Sequence, residues 1–68
     1  MAGTYKKIEI VGTSPDSFAD AVKSAVKEAS KSIRKMSWFE VVEQRGAIKD
    51  GKVLEFQVTI RVGFKIES

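Results

Sequence analysis

Cysteine and histidine are both absent from the chain of 68 residues. Without cysteine there is no thiol nucleophile and no disulfide, and without histidine the commonest general base is missing. The same two absences remove nearly all zinc sites, because zinc in proteins is held mainly by these side chains. We therefore expect no thiol or histidine chemistry and no structural zinc. The nine carboxylates alone leave a general acid and base pair open, and only the lack of any paired arrangement among them, discussed below, favours a protein that is not an enzyme.

Long apolar runs are also absent. No stretch approaches the roughly 20 apolar residues of a membrane span, and the first seven residues lack the apolar block of a signal peptide. Lys and Arg number 12 against 9 Asp and Glu, a net charge of +3, which is short of the dense cationic surface typical of nucleic-acid binding. We expect one cytoplasmic domain over residues 1–68, with neither a membrane nor nucleic acid as its partner.

The small size of the chain predicts self-association. Below about 70–80 residues a single core seldom supplies more than ~3–5 kcal/mol, so such domains usually add disulfides, a metal or oligomerisation. Since cysteine and histidine are both missing, disulfides are excluded and a zinc site nearly so, and oligomerisation is the stabilising device that is left.

Alternation of apolar and polar residues predicts three strands. The first covers residues 5–11, and the second begins at residue 38 and extends past Gly46 to residue 48. Asp50-Gly51 then predicts a hairpin turn, because both central residues of the favoured turn need positive φ. In the third strand, residues 54–66, apolar residues share one face and polar residues, Gln57 among them, share the other.

A helix is predicted between the first two strands, over residues 15–35. Ser14 followed by Pro15 indicates an N-cap with proline at the first helical position. Apolar residues then recur at steps of three and four, which is typical of one helix face; they are Phe18, Val22, Ala25, Ala29, Ile33 and Met36. The order β-α-β-β predicts an α+β fold in which one helix covers one face of an antiparallel sheet. The other face, which no helix covers, again predicts self-association.

Few residues suggest chemistry. Glu40 and Glu43 differ by an odd number of positions, so strand alternation places their carboxylates on opposite faces, where they cannot act as a pair. Trp38 has two open interpretations from local pattern: a plug of the helix–sheet seam, which that pattern slightly favours, or a platform for a ligand. Gln57 carries the donors and the acceptor needed to read the edge of a heterocycle, but alone it decides nothing.

Taken together, the motifs resemble the dodecin family of small flavin-binding proteins. The motifs are the residues 8–14 (Ile-Glu-Ile-Val-Gly-Thr-Ser), 38–41 (Trp-Phe-Glu-Val), 45–46 (Arg-Gly), 56–59 (Phe-Gln-Val-Thr) and 62–64 (Val-Gly-Phe). The resemblance implies a three-stranded antiparallel sheet partly wrapped around one helix, with twelve protomers in a hollow shell. It also implies flavins sandwiched between tryptophans at two-fold interfaces, with Trp38 stacked on the ring and Gln57 hydrogen-bonded to its polar edge.

The implied function is the storage and sequestration of flavin, with its excited state quenched by Trp38. FMN is preferred over riboflavin because its phosphate needs a cation, for which the resemblance suggests Arg45; Lys65 is a weaker candidate on the same strand face as Gln57. The sequence leaves open whether coenzyme A also binds the shell. The alternative is a small nucleic-acid-binding module that uses Trp38, Arg61 and the basic C-terminal end of the helix to bind single strands.

Overall fold

The computed structural model describes residues 3–66. They form β1 (Tyr5–Ser14), α1 (Phe18–Ala29), β2 (Met36–Lys49) and β3 (Lys52–Lys65). The strands make one antiparallel sheet in the order β1-β3-β2, so the strand with the clearest alternation lies in the centre. The predicted β-α-β-β order and antiparallel three-stranded sheet are confirmed.

The core lies where α1 crosses the centre of the sheet. Val58, Ile60 and Val62 of β3 are at most 2% exposed and pack against small residues of the helix, Ala21 and Ala25. Full burial of each of these three β3 side chains is worth about 1.5–3 kcal/mol. The alanines let α1 lie close to the sheet.

Both ends of the helix differ from the sequence prediction. Ser14 stays in β1, and the N-cap is Ser17, whose hydroxyl accepts a hydrogen bond of 3.0 Å from the backbone N–H of Asp20. At the other end the helix stops at Ala29, and residues 30–32 form a turn in which the Ser30 hydroxyl donates to the carbonyl of Lys27. Such local side-chain hydrogen bonds compete with the continuation of a helix, which explains the shorter element.

The predicted hairpin turn is confirmed, with φ of 52° at Asp50 and 74° at Gly51. The pairing of β1 with β3 ends where Ser14 meets Phe56, so residues 47–55 extend beyond β1 as a two-stranded hairpin arm. On this hairpin arm Ile48 is 77% exposed and Leu54 is 56% exposed. Large apolar side chains at the end of a projecting arm are typical of a surface that packs against another chain.

The helix packs against β1 and β3, and much of β2 stays open. Phe39 and Val41 of β2 face the helix side of the sheet, since they pair with Val62 and Ile60, and both are about half exposed. Between Phe39 and the helix runs a groove of about 550 Å³, lined by Ala19, Val22, Lys23, Val26, Lys27 and Phe39. We call it the helix groove.

Candidate ligand-binding site

The sheet face turned away from α1 is uncovered, and we call it the open face. On β3 it carries the residues that alternate with the buried core: Gln57, Thr59, Arg61 and Gly63. Directly opposite residues of antiparallel strands share a face. The register therefore adds Thr13, Val11, Glu9 and Lys7 from β1, and Arg45, Glu43, Glu40 and Trp38 from β2.

Trp38 lies at one end of the open face. Its indole packs over Gly63 on the neighbouring strand, and a Cβ built at that glycine would lie 2.7 Å from the ring carbon Cη2. Tyr5 contacts the same indole, with ring centroids 5.1 Å apart and planes tilted by 53°. Trp38 is still 43% exposed. The ring is thus held on the sheet by Gly63 and Tyr5 and offers an accessible aromatic surface.

Two ion pairs cross the strands beside Trp38. Lys7 Nζ donates to Glu40 Oε1 at 2.6 Å, and Arg61 Nε donates to Glu9 Oε1 at 3.0 Å. The hydrogen bond from Lys7 and its positive charge hold the pKa of Glu40 below the usual 4.5, and the charge of Arg61 adds to this effect. These four residues therefore present largely compensated charge next to the indole.

Gln57 lies in a second cluster, which is built from hydrogen bonds. Arg45 Nε donates to Gln57 Oε1 at 2.7 Å, and Gln57 Nε2 donates to Glu55 Oε1 at 2.8 Å. Arg45 Nη1 also lies 3.8 Å from Glu43 Oε1. The two contacts of Gln57 fix the orientation of its amide, and they leave one amide hydrogen and one acceptor lone pair for a ligand.

The structure brings some of the predicted site residues together and separates others. Arg45 and Gln57 are in direct contact, whereas Gln57 and Gly63, the residue under Trp38, are six residues apart on β3. At ~3.3 Å per residue that is about 20 Å along the strand. Lys65 pairs with Tyr5 and so lies at the Trp38 end of the open face. Within one protomer, Trp38 and Gln57 do not meet.

The predicted separation of Glu40 and Glu43 was wrong. Glu40 pairs with Arg61 and Glu43 pairs with Thr59, so both carboxylates lie on the open face. The register shifts between Val41 and Glu43, where a β-bulge adds one residue to β2. An inserted residue reverses the alternation beyond it, which brings side chains at odd spacing to the same face.

Sequence reasoning missed three residues that build this surface: Gly63, Tyr5 and Glu55. A glycine inside a strand often marks a close approach, so Gly63 carried a signal that could have been used. Its partner could not have been identified, because the contact with Trp38 depends on the register between β2 and β3. Nothing local in the sequence distinguishes Tyr5 or Glu55 from ordinary strand residues.

Within residues 3–66, no three acidic side chains come close enough together to hold a metal ion. The helix in this range is too short to cross a membrane.

The structure defines a small α+β protein in which one helix lies on one face of a three-stranded antiparallel sheet and the other face is uncovered. A family model described as Dodecin matches residues 4–67, nearly the whole chain. The chain belongs to the dodecin family, whose members are oligomeric proteins that bind small ligands.

Individual relatives agree with this assignment. The chain is 45% identical over 67 residues to the dodecin of Thermus thermophilus, covering 98% of this chain and 97% of the relative. The structure of the dodecin from Streptomyces coelicolor superposes with a TM-score of 0.94 at 48% identity, covering 97% of this chain and 94% of that one. A calcium dodecin of Mycobacterium tuberculosis is 34% identical over 62 residues, covering 91% of this chain and 87% of the relative.

Proposed function

We propose that the protein binds flavin without catalysing a reaction, and that it stores and sequesters FMN or riboflavin in a homo-oligomeric shell. The single observation that carries this proposal is the indole of Trp38, backed by Gly63 and Tyr5 but 43% exposed on the open face. A flat ligand ring stacks on such a surface with little loss of conformational freedom. Stacking against tryptophan also allows electron transfer to the excited flavin, which quenches its fluorescence.

The proposed site is completed by a second copy of the chain. In one protomer Gln57 lies about 20 Å along β3 from Gly63, the residue that pairs with Trp38, which is too far for one isoalloxazine ring to contact both Trp38 and Gln57. In the proposed arrangement the ring lies on Trp38 of one protomer while Gln57 of another protomer reads its polar edge. A monomer therefore offers only half of the site.

Self-association is supported by the apolar surface that one chain leaves exposed. Ile48 and Leu54 of the hairpin arm are 77% and 56% exposed, and Phe39 at the helix groove is 49% exposed. Neighbouring chains that cover these residues would add the apolar burial that so short a chain lacks. Twelve copies, as the family name suggests, are the proposed number.

The proposed preference for FMN rests on charge. Riboflavin is neutral, whereas the phosphate of FMN carries about two negative charges near neutral pH. Arg45 is exposed and in contact with Gln57. A phosphate that lies beside the Gln57 amide would therefore be within reach of the Arg45 guanidinium. Lys65 is a further cation on the open face, at the Trp38 end.

A titration of FMN with the purified protein tests the proposal. We expect FMN fluorescence to fall at micromolar protein with about one flavin bound per chain, and a native mass of about 90 kDa, twelve times the 7.5 kDa of one chain. Adenosine monophosphate, which has a phosphate but no isoalloxazine, is the matched competitor and should not restore the fluorescence. FMN fluorescence that stays unchanged, or FMN that a single-stranded oligonucleotide displaces, would contradict the proposal.

A further inference from the structure

Gly63 is a glycine in the interior of the central strand, paired with Lys7 on one side and Trp38 on the other. Strand interiors disfavour glycine, which has no side chain to pack and loses more backbone freedom than other residues. The φ angle of Gly63 is not positive, unlike that of Gly51 in the hairpin turn. An alanine could therefore adopt this backbone conformation, and the need for glycine must lie in the space around it.

That space is filled by the indole of Trp38. A Cβ at position 63 would lie 2.7 Å from Cη2 of the ring and nearer still to Cζ2 and Cε2. Real Cβ atoms do not approach other carbons so closely, so one of the two groups would have to move. The ring atoms belong to a rigid bicycle with two side-chain torsions, which can respond only by tilting or lifting as a whole.

The other contacts of the indole limit how it can move. Tyr5 lies 5.1 Å away between ring centroids, tilted by 53°. The backbone of β2 also constrains the ring. A register shift between Met36 and Trp38 adds one residue to β2, so that Trp38 lies on the open face while Met36 packs against the core. The ring therefore rests in a notch whose floor is the bare backbone of Gly63 and whose wall is Tyr5.

We propose that Gly63 is the positioning residue of the flavin site: its missing side chain lets the Trp38 indole lie against β3 and sets the height at which a ligand ring stacks. This inference rests on the proposed function. It assigns Gly63 no contact with the ligand. An added methyl group would lift or tilt the indole, and the stacked ligand would lose its fit to the groups that read its edge.

Gly63→Ala in the full chain is the variant that tests the inference. We expect FMN binding about tenfold weaker, which is ~1.4 kcal/mol, because the displaced indole keeps only part of its stacking contact. Trp38 is the only tryptophan, so its emission reports the ring directly, without any ligand. In ligand-free Gly63→Ala we expect an emission maximum at longer wavelength and easier quenching by acrylamide, because the lifted ring meets more water.

A double-mutant cycle separates the indole contact from any other role of the glycine. Gly63→Ala should lower the melting temperature in the wild-type background and leave it unchanged or raise it in the Trp38→Ala background, where no ring occupies the notch. If Gly63→Ala alone fails to fold, folding of the double variant supports the inference and failure of both variants overturns it.

The outcomes distinguish this inference from the proposed function. Wild-type protein that binds no FMN would overturn the flavin proposal, while the emission and melting data would still decide whether Gly63 positions Trp38. Wild-type FMN affinity in Gly63→Ala, with unchanged emission, would overturn the positioning role and leave the flavin proposal standing. A melting temperature that falls equally in both backgrounds would also overturn it.

Discussion

The two ends of the open face are built by different forces. At one end Trp38 is held by close packing on Gly63 and Tyr5, and at the other end Gln57 is held by hydrogen bonds of 2.7 and 2.8 Å to Arg45 and Glu55. Packing fixes where a surface lies but offers no selectivity for polar atoms. Hydrogen bonds fix which atom points outwards. In the proposed function the first end supplies stacking energy and the second end supplies recognition, and mutations should affect them differently.

The largest effect is expected from Trp38→Ala. Loss of one stacked ring costs ~1–3 kcal/mol by analogy with base stacking, so flavin affinity should fall by up to about a hundredfold, at ~1.4 kcal/mol per decade. Trp38→Phe keeps a smaller ring and should show an intermediate loss. Titration of FMN fluorescence measures the affinity.

The native mass provides the control for this prediction. Trp38 is 43% exposed and lies outside the core formed by α1 and β3, so Trp38→Ala should keep the mass of the wild-type assembly. An assembly that falls apart into protomers which still bind flavin would mean that Trp38 is structural. The Trp38 end of the open face would then not supply the stacking energy for the ligand.

An effect of the same order is expected from Gln57→Leu. The substitution keeps similar bulk and removes every hydrogen-bonding group, so the polar edge of the ligand is left unpaired at a cost of about 1–3 kcal/mol. Flavin affinity should fall about ten- to a hundredfold by titration. The melting temperature of the ligand-free assembly should change little, because water can replace Gln57 at the exposed Arg45 side chain.

Gln44→Leu is the matched control, since Gln44 pairs with Val58 and lies on the helix side of the same sheet. It should leave the flavin affinity at the wild-type value. Equal affinity of Gln57→Leu and wild type would instead show that backbone groups or water read the ring edge, and Gln57 would leave the proposed site.

A smaller and more selective effect is expected from Arg45→Ala. FMN should bind a few-fold less tightly, in keeping with ~0.2–1 kcal/mol for exposed charge pairs, while riboflavin should lose less. The quantity to measure is the ratio of the two affinities. Some loss for both ligands is expected, because Arg45 also orients the amide of Gln57 at 2.7 Å.

Arg45→Lys serves as the control because it keeps the charge and changes the hydrogen-bonding geometry. It should preserve the preference for FMN while weakening both ligands slightly. If Arg45→Ala lowers the affinities for FMN and riboflavin by the same factor, a phosphate contact is excluded. Arg45 would then act only by orienting the amide of Gln57.

The sequence predicts those features of the fold that depend on interactions between residues close together in the chain. The strict alternation of β3 and the Asp50-Gly51 turn are local signals, and both gave correct elements. The helix end at Ala29 was missed because the apolar spacing continues to Ile33, while the Ser30 hydroxyl already bonds the carbonyl of Lys27. Local periodicity does not register a competing hydrogen bond.

The site is less predictable than the fold because it depends on strand register. The bulge between Val41 and Glu43 places Glu43 on the open face, whereas simple alternation from Glu40 predicts that it lies on the helix side. The contact of Trp38 with Gly63 joins residues 25 positions apart and follows from the same register. Residue types could suggest Trp38 and Gln57 as candidates, but their separation of about 20 Å required the sheet itself.

The smallest effect is expected from acid, and it should be confined to the Trp38 end. Lys7 lowers the pKa of Glu40 below 4.5 in the folded protein. The ion pair therefore stabilises the fold at pH values above the pKa that Glu40 has in the unfolded chain. This contribution is lost as the pH falls through the lower pKa that Glu40 has in the folded protein. The melting temperature of wild type should therefore exceed that of Glu40→Gln by a constant amount above about pH 5, and the difference should vanish below the lowered pKa. Lys7→Gln should show the same loss, and high salt should shrink the difference, because both side chains are nearly half exposed. A difference that persists unchanged from pH 7 to pH 3 would show that Glu40 acts through packing instead of charge.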